Sequence, residues 1–251
     1  MKFKRVFFTG GSGLLALNWA ISYQNSIEVI LGLHTRNIRP DFAKAIHIPL
    51  DSLDELIDCL EYLRPDVIIN AAAVTNIEYC EHNPVEAHLV NVCYAANIAM
   101  ACQKLQISLI HISSDHLFTG LFPFTDEDAV VQPLNVYGTT KALAECEVKT
   151  HYPDSLIIRT NFYGWGTSYR HSFSDNIINA LTSGVSYSAF YDVYFTPILV
   201  SDLAAAVHQL YNQQVYGVFN IVSNERLSKY EFSVLLAEIF QFPRSLVCPI
   251  T

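Results

Sequence analysis

Thr9-Gly10-Gly11-Ser12-Gly13-Leu14-Leu15-Ala16 is a glycine-rich turn that runs directly into an apolar segment. It follows Val6–Phe8, an apolar run that reads as a first β-strand, and it opens a segment of helical period. A turn without side chains at this place lets backbone N–H groups and the helix N-terminus approach a pyrophosphate, and Ala16 occupies the third small position, where helix and strand pack closely. Glycine also serves any tight turn that needs positive φ, so the glycines alone do not name a ligand. Their place in a first βα unit points to a dinucleotide.

Working outward, Ile27–Leu33, Ala45–Ile48, Val67–Asn70, Leu109–Ser113 and Ser155–Arg159 are short runs, apolar on both faces as central parallel strands are. Helices begin between them. Ser52-Leu53-Asp54-Glu55 reads as a capping box, and Asn83-Pro84-Val85-Glu86 sets a cap residue, a first-turn proline and an N3 carboxylate in order. Six strand–helix repeats with right-handed crossovers predict an α/β, Rossmann-like, doubly wound parallel sheet. After Arg159 the pattern loosens into aromatic-rich segments, helices at Val200–Tyr211 and Ser228–Ile239, and a short strand at Val218–Ile221. The expected division is a dinucleotide-binding domain over residues 1–160 and a smaller substrate-binding lobe over 161–251.

Composition narrows the classes further. The 251 residues are 51% hydrophobic and 16% charged, against a usual charged share of about 25%, which excludes a disordered chain or a coiled coil. Fifteen Lys and Arg against 24 Asp and Glu give a net charge of −9, so bulk electrostatic attachment to nucleic acid or acidic membranes is not expected. The opening MKFKRVFF is interrupted by the glycines where a signal peptide needs an unbroken apolar core, so a cytoplasmic protein is expected. Leu89–Cys102, with Asn91 and Asn97 inside it, falls short of the ~20 residues of a membrane span. The six cysteines show no paired spacing and read as reduced, mostly buried thiols. The nine histidines show no ligand spacing, so no metal site is expected; Asp126-Glu127-Asp128 reads as a solvated loop. Tyr187, Phe190, Tyr191, Tyr194 and Phe195 form an aromatic cluster that suits either a small-lobe core or a stacked base.

Two further motifs carry chemistry. No acid stands between Glu28 and Asp41, where a carboxylate at the end of the second strand would bind the ribose 2′-hydroxyl of NAD. Arg36, with Arg39 as a second candidate, stands there instead and suits either a 2′-phosphate or an ordinary solvated loop; NADPH is the expected cofactor, with NADH as the alternative. Tyr137-Gly138-Thr139-Thr140-Lys141 puts a phenol and an ammonium on one helical face, where the ammonium lowers the phenol pKa and reaches a cofactor ribose. Ser113-Ser114-Asp115 stands 23 residues before Tyr137, at a strand end, and offers a hydroxyl to a substrate carbonyl. Serine, tyrosine and lysine behind a glycine-rich nucleotide turn form a carbonyl reductase constellation.

With these residues the chain resembles the extended short-chain dehydrogenase/reductase superfamily, and within it the dTDP-4-dehydrorhamnose reductases. The likeness runs through NAAAVT at Asn70–Thr75, HISSDHLFTG at His111–Gly120, PLNVYGTTK at Pro133–Lys141, RTNFYG at Arg159–Gly164 and SKYEF at Ser228–Phe232. It implies reduction of the 4-keto group of a nucleotide-linked deoxysugar, with Tyr137 as proton donor, Lys141 as its partner and Ser114 polarising the carbonyl. Gly10, Ser12, Gly13, Leu14, Leu15, Arg36, Asp51, Ala71, Ala72 and Ala73, with Tyr137 and Lys141, are the implied cofactor residues; Ser114, Asp115, His116 and Phe162 are the implied substrate residues. The partner implied is the nucleotide sugar, and a homodimer is compatible with the family. His116 replaces the family's usual tyrosine and Phe162 its usual tryptophan, and the family continues for tens of residues past a segment like Leu246–Thr251, so a shortened lobe is expected. The chain also resembles the non-catalytic regulatory subunit of methionine adenosyltransferase, which makes a cofactor-binding regulatory role the alternative. A sugar-nucleotide epimerase or dehydratase is a further one.

Overall fold

The computed structural model describes residues 4–251. They form two compact units: residues up to Thr160 with Ala206–Asn220, and Asn161–Ala205 with Ile221–Thr251. In chain order the elements are β1 (Arg5–Thr9), α1 (Leu14–Tyr23), β2 (Glu28–Leu33), β3 (Lys44–His47), α2 (Leu53–Leu63), β4 (Val67–Asn70), α3 (Ile77–His82) and α4 (Pro84–His88). A π-helical turn, Leu89–Cys93, leads into α5 (Tyr94–Leu105), then β5 (Ser108–Ile112), α6 (Val136–His151) and β6 (Leu156–Arg159). The remainder is β7 (Phe162–Tyr163), α7 (Phe173–Thr182), β8 (Tyr187–Phe190), β9 (Tyr194–Phe195), β10 (Ile198–Leu199), α8 (Val200–Asn212), β11 (Gly217–Asn220), β12 (Leu227–Ser228), α9 (Lys229–Ile239) and β13 (Val247–Ile250).

The first unit is built on a parallel sheet ordered β11-β6-β5-β4-β1-β2-β3. Six of those strands take the Rossmann order 3-2-1-4-5-6, so the expected doubly wound fold is the one observed. Successive strand residues point to opposite faces, which is why the central strands need apolar residues at every position. Phe7, Ile30, Ile68, Leu109 and Ile157 meet Leu56, Leu60, Ile98, Ala144 and Val148 from α2, α5 and α6 on one face. On the other, Phe8 packs edge-on against Trp19 of α1, 5.3 Å between ring centroids. Each fully buried Leu or Ile of this core contributes about 1.5–3 kcal/mol.

The order and caps of the elements depart from the sequence reading at several places. Residues 34–43 link β2 to β3 without a helix, so one of the expected strand–helix repeats lacks its helix. The strand expected in the small lobe at Val218–Ile221 is β11, and it closes the edge of the main sheet beside β6. Ser52 accepts from the Glu55 N–H, but Asn83 turns its amide back to the Tyr79 carbonyl and leaves α4 without a side-chain cap. Pro84–Leu105 is helical throughout, 22 residues long and apolar enough to cross a membrane by length and composition, although half of its apolar 18-residue window is buried inside the protein.

In the second unit, α7 and α9 enclose Ile177, Leu181, Phe195, Phe232, Leu236 and Val247, while β8 and β13 pair in parallel. Both helices begin with reciprocal capping boxes, Ser172 with Asp175 and Ser228 with Glu231. The Glu231 carboxyl is held below its ordinary range, chiefly by the backbone N–H of Ser228 and then by its side chain. Ser228→Ala removes the acceptor for the Glu231 N–H at 3.0 Å. A loss of about 1 kcal/mol is expected, read as a lower urea midpoint with faster amide exchange in the first turn of α9. Unchanged exchange there would show that the box does not hold the helix start.

Candidate active site

In sheets of this order the connections leave β1 and β4 in opposite directions and open a crevice at their C-terminal ends. The glycine turn lies there. Gly10 has φ +65°, and a Cβ on it would lie 2.8 Å from the Ala71 carbonyl oxygen and 2.9 Å from Ala72 Cα. Gly11, which the sequence reading left unassigned, is as constrained: a Cβ there would meet Leu31 at 2.7 Å. The turn closes through a hydrogen bond from the Gly13 N–H to the Gly10 carbonyl at 2.8 Å, and Gly13 is the N-cap of α1. That helix has no side-chain cap and no acid in its first turn, an arrangement that leaves its leading N–H groups suited to an anion. Leu14 is half-buried, whereas the Leu15 side chain is in the core and only its backbone is available to a ligand.

The reactive side chains come from β5 and α6. Ser114 follows β5, is buried, accepts from the His116 N–H at 3.2 Å and donates to Asp115 Oδ1 at 3.3 Å. Asn135 caps α6 by accepting from the Gly138 N–H at 2.7 Å, which fixes Tyr137 in the first turn. Gly138 lies against the backbone of His116, a contact that leaves no space for a Cβ. This close approach brings the loop bearing Ser114 to the start of the helix bearing Tyr137, and the His116 and Tyr137 rings meet edge to face at 5.5 Å. One turn on, Lys141 is buried and donates to the Ile112 carbonyl at 2.7 Å. Burial pulls its pKa down to about 8, against an opposing pull from Glu145.

The other implied residues lie on loops and elements of both units. Ala71, Ala72 and Ala73 follow β4, and Asp51 precedes α2, near enough to Tyr94 to help raise its phenol pKa after the effect of burial. Arg36 is exposed in the link after β2, where His47 at the end of β3 is hydrogen-bonded to Asn37. Asp115 and His116 are half-buried. Phe162 belongs to β7 in the second unit and is half-buried there.

Several side chains that the sequence reading passed over are structural to this site. Asn91, buried in the π-helical turn, binds both backbone groups of Val74 and donates to Thr140 Oγ1 at 2.9 Å. Glu145 holds Arg159 in a buried ion pair of 2.8 Å. Glu127 corrects the solvated-loop reading, since its carboxylate accepts from the Asn220 N–H and its carbonyl from Arg159 Nη1. The aromatic cluster divides: Phe195 is core, while Phe190, Tyr191 and Tyr194 are nearly half exposed. Only Cys80 and Cys102 of the six free cysteines are fully buried, fewer than expected. Among the described residues no three metal-ligating side chains cluster.

A family model described as the RmlD substrate binding domain matches residues 4–251. The chain belongs to that family. Among curated proteins, this RmlD-family chain is similar to the probable low-salt glycan biosynthesis reductase Agl14 of Haloferax volcanii, 27% identical over 96% of this chain and 82% of that protein. It is also similar to methionine adenosyltransferase 2 subunit beta of Xenopus tropicalis, 29% identical over 99% of this chain and 75% of that one. Among solved structures, a hypothetical dTDP-4-dehydrorhamnose reductase from Sulfolobus tokodaii superposes with a TM-score of 0.86 at 29% identity, covering 98% of this chain and 85% of that one. The Bacillus anthracis dTDP-4-dehydrorhamnose reductase in complex with NADP has the same fold, with a TM-score of 0.86 at 24% identity over 100% of this chain and 85% of that one.

Proposed function

We propose that this chain is an NAD(P)H-dependent reductase acting on the 4-keto group of a nucleotide-linked deoxysugar. The observation that carries the reading is the buried Lys141, one helical turn after Tyr137, on a helix whose start packs against the Ser114 loop. The residues present fit a dinucleotide: the uncapped N-terminus of α1 suits a pyrophosphate, and Gly10 and Gly11 keep the turn free of side chains where a Cβ would collide. When bound, the nicotinamide supplies the hydride.

The chain's own residues do the rest. Gly10, Ser12, Gly13 and the backbone of Leu14 and Leu15 hold the phosphates, with Asp51 and Ala71–Ala73 beside them and Arg36 pairing with a 2′-phosphate. Tyr137 donates its phenolic proton to the substrate oxygen, Lys141 keeps the phenol acidic enough to do so, and Ser114 stabilises the developing negative charge with its hydroxyl. Asp115 and His116 are assigned to the sugar nucleotide. The Sulfolobus and Haloferax relatives support a reductase, and the NADP in the Bacillus structure supports the cofactor. The likeness to a methionine adenosyltransferase subunit over 99% of this chain favours a second reading, a cofactor-binding regulatory subunit.

Oxidation of NADPH in the presence of dTDP-4-dehydro-6-deoxy-L-mannose and related keto-sugar nucleotides tests the first reading against the second. Turnover supports the reductase; tight NADPH binding without turnover on any of them, together with co-purification of another protein, overturns it in favour of the subunit. Quenching of protein fluorescence is expected to show tighter binding of NADPH than NADH. Arg36→Ala is expected to remove most of that preference, at about 1–3 kcal/mol for a charge-assisted contact. Equal preference in Arg36→Ala and the unaltered protein would sink the 2′-phosphate assignment.

A further inference from the structure

Thr9, Asn70 and His111 stand on the adjacent strands β1, β4 and β5, all buried, in strands that are otherwise almost wholly apolar. The N–H groups of Ala71 and Ala72 both donate to Thr9 Oγ1 at 3.2 Å, so the Thr9 hydroxyl donates onward to Asn70 Oδ1 at 2.6 Å. That fixes the amide of Asn70: its Nδ2 faces His111 Nδ1 at 2.9 Å and donates to it. A neutral imidazole that accepts at Nδ1 carries its hydrogen on Nε2. An Nδ1 that accepts makes the ring neutral, and burial, then the neighbouring Lys141, act the same way by lowering its pKa well below the ordinary value. Its Nε2 lies 3.4 Å from Lys141 Nζ. An Nε2–H cannot accept from an ammonium; it completes a hydrogen bond only with the lone pair of a neutral amine.

We propose that His111 is a positioning residue for Lys141: the directional chain from Ala71 and Ala72 through Thr9, Asn70 and His111 presents a donor to Nζ and so sets how firmly the lysine holds its proton. The inference rests on the reading of Lys141 as the partner of Tyr137. It adds a connection, since the chain begins at the two residues that a Cβ on Gly10 would meet and ends at the amine one turn from the phenol. Lys141 has Tyr137 and Glu145 one turn away on α6, His111 on β5, and Arg159 of β6 already held by Glu145. Cys80 of α3 packs against Tyr137; α5, which also packs on α6, buries Tyr94 and Cys102, both kept neutral by burial. The π-helical turn contributes the uncharged Asn91. Of these, His111 is the one whose donor or acceptor character toward Nζ is set by a chain reaching the glycine turn.

NMR on the intact protein tests this without reference to turnover. Lysine labelled at 13Cε reports the midpoint of Lys141, identified by the signal lost in Lys141→Met; long-range 1H–15N spectra report the tautomer of His111, identified by its loss in His111→Gln. The Nε2–H pattern is expected from pH 6 to 9. His111→Leu removes the donor and is expected to raise the Lys141 midpoint by at least about half a pH unit, a threefold gain in proton affinity. His111→Gln, whose amide can accept from Asn70 and donate to Nζ, is expected to restore the original midpoint. Asn70→Asp is expected to reverse the tautomer, because a carboxylate accepts from Nδ1–H and leaves Nε2 as the acceptor. An Nδ1–H tautomer in the unaltered protein, or an unchanged Lys141 midpoint in a folded His111→Leu, overturns the proposal. If His111→Leu does not fold, the tautomers of the unaltered protein and of Asn70→Asp decide it. Absence of keto-sugar reduction would sink the proposed function and leave these spectra as they are, so the two failures are distinguishable.

Discussion

Glu145→Leu is expected to destabilise the protein by about 3–5 kcal/mol, because it leaves the Arg159 guanidinium buried without its counter-charge. Both side chains are only 4% exposed. Arg159 donates three hydrogen bonds to the carboxylate, from Nε at 3.0 and 3.2 Å and from Nη2 at 2.8 Å. What remains after the substitution is Nη1 to the Glu127 carbonyl and the Phe118 ring 5.3 Å from the guanidinium carbon. Neither supplies negative charge. The loss is a large part of the 5–15 kcal/mol that typically holds a folded protein, so urea unfolding followed by circular dichroism reads it easily. The double variant Glu145→Leu with Arg159→Met is expected to recover most of the loss, since an apolar pair of similar volume avoids burying a charge at all. A single substitution costing less than about 1 kcal/mol, or a double variant no better than the single, would show that the guanidinium finds water or another partner. The same pair acts at the site, because Glu145 opposes the fall in the Lys141 pKa. Removing Glu145 is therefore also expected to move the lysine further toward the neutral amine.

The strands were legible because each buried parallel strand is nearly all Val, Ile, Leu or Phe, and Val67–Asn70 was found to the residue. The glycine turn, Ser114, Tyr137 and Lys141 were legible for a different reason: each chemistry needs a residue type at one spacing within one or two elements. What lay beyond reach depends on contacts across the sheet. Thr9 and Asn70 end their strands, and His111 stands one residue before the end of β5; the register of β1 beside β4 and of β4 beside β5 pairs Thr9 with Asn70 and Asn70 with His111. A polar residue in an otherwise apolar buried strand was the available signal. Its partner could not be read without the register. Sequence alone sets β11 in the small lobe because Gly217–Asn220 carries no mark of which sheet it joins, and 57 residues separate it from its partner β6. Asn83 looked like a cap because its type and the following proline suit one, but its amide reaches the Tyr79 carbonyl at 3.0 Å.

Tyr137→Phe is expected to lower turnover of the keto-sugar substrate about 10²–10⁴-fold while leaving NADPH affinity within a factor of two, because it removes the proton donor and keeps the ring. That range equals about 2.7–5.4 kcal/mol of transition-state stabilisation. The ring itself is packed, with Cys80 and Ala87 around it and the His116 ring on its edge, and phenylalanine preserves those contacts. Lys141→Ala is expected to lower both turnover and affinity, since the ammonium is assigned to the ribose as well as to the phenol. The pH profile has a sign set by Lys141. With its pKa pulled down to about 8 by burial, the lysine is mostly an ammonium at pH 7 and mostly neutral at pH 9. The ammonium makes the neighbouring phenol a stronger acid, so kcat/KM for reduction is expected to be flat below about pH 7.5 and to fall above about pH 8. Tyr137→Phe has no phenol for the ammonium to act on, and its residual rate is expected to lose most of that fall. Retention of more than a tenth of the rate in Tyr137→Phe, or a descending limb unchanged by the substitution, would remove the phenol from the proton transfer and leave Ser114 as the candidate donor.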